Sequence, residues 1–99
     1  MKTLQGSISL DSMVVAAPDQ VSSDLDGEAV ILNLQSGVYY GLNVVGARVW
    51  SLMQQATSVR AIRDVLLAAY DVDWARCESD LLALLQQMAS LGLVEVLDE

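Results

Sequence analysis

Residues 27 to 53 read Gly-Glu-Ala-Val-Ile-Leu-Asn-Leu-Gln-Ser-Gly-Val-Tyr-Tyr-Gly-Leu-Asn-Val-Val-Gly-Ala-Arg-Val-Trp-Ser-Leu-Met, and their order decides the fold. An apolar strand with Val30, Leu32 and Leu34 on one face stops at Gln35-Ser36-Gly37, where glycine suits the left-handed position of a short hairpin loop. A second strand follows, placing Val38, Tyr40 and Leu42 on one face and Tyr39 and Gly41 on the other. Asn43 then stands where a helix N-cap belongs. A tight hairpin thus runs straight into a helix. A small sheet with an accessible edge is a place where an extended peptide can add as a further strand.

Upstream, 13–17 reads as a strand ended by Pro18, and 20–25 as a second extended piece closed by the hairpin signal Asp26-Gly27. The two pieces fit either one strand bent at Pro18 or two separate strands. Residues 1–12, with the alternation Ser7-Ile8-Ser9-Leu10, read as an arm or short strand preceding a domain over 13–97.

Downstream of Asn43 the period becomes helical. Val45, Val49, Leu52 and Met53 share one side of a first helix, with Trp50 at its flank. Thr57-Ser58 caps a second helix that aligns Val59, Ile62, Leu66 and Tyr70. Asp73 caps a third, running to about Leu91 and stopped by Gly92 at the C′ position. Its apolar side is wide, taking in Trp74, Cys77, Leu81, Leu82, Leu84, Leu85, Met88, Ala89 and Leu91, whereas an ordinary surface helix needs a stripe only somewhat over about 100°. Either protein flanks this helix on two sides or one margin of the face serves a partner. Leu93 to Leu97 alternates weakly, as a short final strand or wing.

Composition narrows the function. A chain of 99 residues forms one domain, and 54% apolar content with one proline and six glycines excludes disorder. With no Phe, the core is expected to be mainly Leu, Val, Ile and Ala. No apolar run approaches the roughly 20 residues of a membrane span. Met1 to Ser7 lacks the apolar region of a signal peptide, so a cytoplasmic location is expected. Thirteen acids against five bases give a net charge of −8, which disfavours nucleic acid and suits a cationic partner. Cys77 is the only cysteine and there is no histidine, which excludes an internal disulfide, Cys-His catalysis and ordinary zinc sites. Tyr40-Gly41-Leu42-Asn43-Val44-Val45-Gly46 lacks the closely spaced glycines and the lysine of a phosphate loop. His-Glu-x-x-His and Gly-x-Ser-x-Gly are absent too. The expectation is a binding protein with no catalytic residues, no metal and no cofactor.

The run Asn33-Leu34-Gln35-Ser36-Gly37-Val38-Tyr39-Tyr40-Gly41-Leu42-Asn43-Val44-Val45-Gly46-Ala47-Arg48-Val49-Trp50 closely resembles the PqqD-like family. That family's pattern is a leucine-rich strand, a turn ending in Gly, one or two tyrosines, then Leu-Asn-x-x-Gly-x-x-Ile/Val-Trp. Thr57-Ser58-Val59 with Ile62 and Leu66, Asp80 with the leucines after it, and Leu91-Gly92-Leu93 continue the likeness over about 13–97. The stretch between Val14 and Gly27 is longer than the family's usual one. The resemblance implies an α+β winged helix-turn-helix, a three-stranded antiparallel sheet followed by three helices. It also implies a recognition domain for the leader segment of a ribosomally made, modified peptide, most like the discrete protein of a lasso-peptide pathway, working beside a leader peptidase and an ATP-dependent cyclase.

The peptide site is expected between the strand Val38, Tyr39, Tyr40, Gly41, Leu42 and the third-helix margin Asp80, Leu81, Leu84, Met88, with acidic groups near the groove suited to basic leader residues. Two other readings stand beside it. DNA binding by a winged helix is opposed by charge, since Asp73, Glu78 and Asp80 on the third helix face only Arg76. A homodimeric interaction protein without peptide specificity would use the same apolar surface to pair with itself.

Overall fold

The computed structural model describes residues 8–97. In chain order these form β1 (Met13–Ala16), β2 (Gln20–Leu25), β3 (Glu28–Asn33), β4 (Tyr39–Leu42), α1 (Val44–Leu52), β5 (Thr57–Ser58), α2 (Val59–Ala69), α3 (Trp74–Ser90) and β6 (Val94–Leu97). The single three-stranded sheet expected from sequence is corrected to two. β2, β3 and β4 form an antiparallel meander, while β1 is the centre of a second antiparallel sheet between β5 and β6. The chain breaks after Pro18 at Asp19, whose φ of 68° ends the extended run, so 13–25 is two strands in two sheets. The partners of β1 come from the far end of the chain, Ala16 lying opposite Val94 and Met13 opposite Leu97. Local periodicity carries no signal for such a pairing.

The meander is built from its turns. Asp26 and Gly27 both have positive φ, 55° and 85°, the primed turn that matches the twist of a two-residue hairpin. At the β3–β4 loop the Asn33 side-chain oxygen accepts from the amides of Gln35 at 2.9 Å and Ser36 at 3.1 Å. Gly37, at φ 73°, returns the chain so that its own amide donates to the Asn33 carbonyl at 2.8 Å and the Asn33 amide to Val38 at 3.0 Å.

One expected face is reversed. Ala29 and Ile31, not Val30 and Leu32, are the buried side chains of β3, and Leu34 lies in the exposed loop. The run Ala29-Val30-Ile31-Leu32 is apolar at every position, so alternation chooses no face, and the side against which α1 folds decides. Val14, Ile31, Val49, Met53, Ile62, Leu85 and Leu93 are fully buried in one cluster between the helices and the two sheets. Trp50, expected at the flank of α1, is buried within it, while Val45 is exposed. Ile8 joins the core, and the carbonyls of Leu10 and Ser12 accept from the first amides of α2, so 8–12 packs on the body without forming a strand.

Each helix carries the cap the sequence proposes. Asn43 accepts from the Gly46 amide, Ser58 from Ala61 and Asp73 from Arg76, at 2.9, 3.1 and 3.0 Å. α3 closes with the amide of Gly92 on Ala89 and that of Leu93 on Met88, a paired C-terminal motif that needs the φ of 78° found at Gly92. Because α3 forms one wall of the cleft described below, its first turn matters. Asp73→Ala is expected to lower unfolding free energy by about 1 kcal/mol, read from the midpoint of a denaturant melt.

Candidate functional site

β4 is an edge strand, bound to β3 on one side and unpaired on the other. Its register sets Leu42 opposite Ala29, Gly41 opposite Val30, Tyr40 opposite Ile31 and Tyr39 opposite Leu32. Antiparallel pairs alternate between those that exchange hydrogen bonds and those that do not. The bond from the Asn33 amide to Val38 fixes the phase, so Tyr40 and Leu42 turn their backbone groups toward β3. The amides and carbonyls of Tyr39 and Gly41 therefore point outward. The open edge is short, and both groups needed for strand addition are presented by a residue with no side chain and by its neighbour two positions away.

Beside that edge lies a cleft of about 500 Å³ between the end of β4, α1 and α3. Leu42, Val45, Leu66, Leu81 and Leu84 give it an apolar floor and walls, with Tyr70 and Val72 closing the end where α2 passes to α3. Its charged side chains are Arg76 and Asp80, one helical turn apart on α3 and 3.7 Å from each other. The rim is thus a mixed pair, with one acid rather than several. Cys77 lies in the wall, where burial, with the Asp80 charge second, pushes its thiol up and keeps it protonated and unreactive at neutral pH.

The α2–α3 corner is clamped by Arg63. Its guanidinium donates to Asp64 at 2.9 and 3.1 Å and to Glu78 at 3.1 Å, and these bonds, Asp64 first, hold its pKa above the usual arginine value. The same group lies 5.3 Å from the Trp74 ring centre, so Trp74, 55% exposed, is a lid over a cation and not a core residue. Glu78 is consumed by this clamp and is not part of the cleft lining.

Of the nine side chains expected to meet a peptide, Gly41, Leu42, Asp80, Leu81 and Leu84 come together in the cleft. Tyr39 is 68% exposed beside it, on the outward face of the sheet, and Val38 is exposed just before β4. Tyr40 packs partly against the core and lines a separate depression near Asp19 and Leu91. Met88, 2% exposed, is a core side chain. Val45, Tyr70 and Val72 line the cleft without having been singled out as contacts. For Val72 a signal exists, an isolated apolar residue between Asp71 and Asp73 where only turn chemistry is required. Among the described residues no group of histidine, cysteine and acidic side chains could hold a metal, and no helix is long and apolar enough to cross a membrane.

The sequence profile of the family described as Coenzyme PQQ synthesis protein D (PqqD) matches residues 28–94. A solved structure of TbiB1 in complex with the TbiA(beta) leader peptide superposes with a TM-score of 0.78 at 36% identity, over 86% of this chain and 99% of that one. A lasso peptide synthetase B1 complexed with the leader peptide superposes with a TM-score of 0.73 at 23% identity, over 83% and 96%, a likeness of fold. Comparison with curated proteins gave no match.

Proposed function

We infer, because this chain belongs to the PqqD family, that it binds the leader segment of a ribosomally made precursor peptide and performs no chemistry on it. The observation that carries this reading is the open β4 edge running into an apolar cleft of about 500 Å³. A leader adding to β4 exchanges backbone bonds with Tyr39 and Gly41, while its inward side chains descend between β4 and α3. The 36% identity to a chain whose structure contains a leader peptide supports the ligand class, and its lasso-peptide counterpart supports the pathway.

In that reading the domain works in the cytoplasm and hands the leader to a leader peptidase and an ATP-dependent cyclase. Its three helices and β-hairpin make a winged helix-turn-helix turned to peptide recognition. Charge speaks against DNA as the ligand, since α3 carries Glu78 and Asp80 against Arg76 alone. Titration of the pathway's leader peptide, followed by fluorescence anisotropy, is expected to give a Kd between roughly nanomolar and micromolar. No binding at tens of micromolar overturns the reading.

A further inference from the structure

The meander has a second open edge. β2 pairs with β3 in an unbroken register from Gln20 to Leu25 and, among the described residues, with no strand on its other side. The ladder continues just before β2, where the Leu34 amide donates to the Asp19 carbonyl at 2.9 Å. That bond fixes the phase. Val21, Ser23 and Leu25 bond to β3, while Ser22 and Asp24 turn their backbone groups outward. The side chains of Ser22 and Asp24 share the inward face with their partners Ile31 and Ala29, which are buried. Yet both are exposed, because α1 packs on β3 and β4 rather than on β2. β2 contains no proline, lysine or bulge, the usual devices that blunt an edge.

A groove of about 470 Å³ lies between the inward face of β2 and α1. Ser22 and Asp24 line one side of it, and Ala47, Arg48 and Ser51, one stripe of α1, line the other. Two opposite charges stand in this groove unpaired. Arg60, Arg63 and Arg76 each hold a carboxylate within 3.7 Å, whereas Arg48 and Asp24 make no ion pair among the described residues. A two-fold axis through Ser23 would set β2 antiparallel to β2 of a second copy. Ser22 then lies opposite the partner's Asp24, and both have outward backbone groups, so each such pair can exchange its two bonds. On the other face Val21, 53% exposed, meets the partner's Leu25, 59% exposed, an apolar cross-strand pair made twice. On the inward face each Asp24 enters the partner's groove, the one that holds Arg48. The helices do not collide. Strands spaced by about 4.8 Å put the two β3 strands roughly 14 Å apart, and a helix is about 10–12 Å across.

We propose that two copies of this chain join through their β2 edges into one continuous sheet, locked by reciprocal ion pairs between Arg48 and Asp24. An unrelated acidic peptide on this edge would answer Arg48 alone. A second copy answers Arg48, Asp24, Val21 and Leu25 by a single two-fold operation. The β4 edges then stand at the two far ends of the joined sheet, so the assembly leaves both leader sites open. The contact is one strand a side, well below the roughly 1,600 Å² of a standard interface, and each copy carries a net charge of −8. The pair is therefore weak and reversible.

Sedimentation equilibrium of the whole chain, with no ligand added, is the test. Wild type is expected to dimerise with a Kd on the order of 10–100 μM. Asp24→Arg and Arg48→Asp each set like charges together at both contacts, and each alone is expected to dimerise at least about tenfold more weakly. An equimolar mixture of the two is expected to recover pairing. One contact then keeps its native pair and the other holds the same pair reversed, a recovery that a folding defect in either variant could not give. Ser22→Pro removes an outward amide that β3 does not use and is expected to be a folded monomer by circular dichroism and sedimentation. Wild type that stays monomeric at about 1 mM overturns the proposal, as do single variants that dimerise like wild type or a mixture that does not recover. A dimer abolished by Gly41→Pro and untouched by Ser22→Pro places the contact on β4 and overturns it too. Leader affinity by anisotropy is expected to stay within about twofold in the β2 and α1 variants, whose changes lie away from the β4 edge. Failure of wild type to bind leader counts against the function and leaves the dimer measurement standing.

Discussion

Gly41→Pro is expected to weaken leader binding by one to two orders of magnitude in a domain that remains folded. Gly41 lies on the unpaired side of β4, so its amide is not part of the β3–β4 ladder and its loss leaves the meander's own bonds in place. In the proposed binding mode that amide donates to a leader carbonyl. Removing it leaves the carbonyl buried without a partner, at about 1–3 kcal/mol, and about 1.4 kcal/mol is a factor of ten in Kd. The proline ring also stands where the incoming strand must approach. Gly41→Ala separates the two effects. A Cβ at this position meets nothing within 4 Å and the backbone needs no left-handed conformation, so alanine keeps the donor and adds one methyl at the edge. Gly41→Ala is expected to bind within a few-fold of wild type. Anisotropy titrations of both variants, with circular dichroism melts to establish folding, give the answer. Full affinity in a folded Gly41→Pro protein moves the leader to another surface.

What the sequence discloses and what it hides divide along sequence separation. The β3–β4 loop, the Asp26-Gly27 turn, the three N-caps and the stop at Gly92 are all written in residues no more than five apart, and each is found where local chemistry places it. The second sheet is not legible, because β1 meets β6 across some eighty residues and β5 is only two residues long. The inward face of β3 is not legible either, since four consecutive apolar residues give alternation nothing to act on. Half of the site follows the same division. β4 and the margin of α3 are visible as a short strand and an overly wide apolar stripe. Val45 and Tyr70 read as core on their own helices, and only the packing of α1 and α2 against α3 leaves them at a cleft. Met88 has the spacing of a margin residue, yet the second sheet, whose β6 follows directly on α3, covers that end of the helix.

Two adjacent leucines on α3 provide the sharpest contrast between core and cleft. Leu85 is 0% exposed and lies at the centre of the cluster, whereas Leu84 is half-buried and lines the cleft wall. Leu85→Ala removes three buried carbons among neighbours that cannot fully close the gap, which costs about 2–5 kcal/mol. For a small domain whose whole stability is of the order of 5–15 kcal/mol, that is a large fraction. A denaturant melt is therefore expected to show Leu85→Ala with a much lowered midpoint, and leader affinity near wild type wherever the protein is still folded. Leu84→Ala is expected to do the reverse. Its side chain already faces the open cleft, so truncation leaves no closed cavity and stability falls by about 1 kcal/mol or less. The leader loses an apolar wall against which its inward side chains pack, and an anchor-lining residue of this kind is worth about tenfold or more in Kd. Melts and titrations of the two variants side by side make the comparison internal to one helix. If Leu84→Ala destabilises as much as Leu85→Ala and leaves affinity untouched, the apolar width of α3 belongs to the core, and the leader does not use this wall.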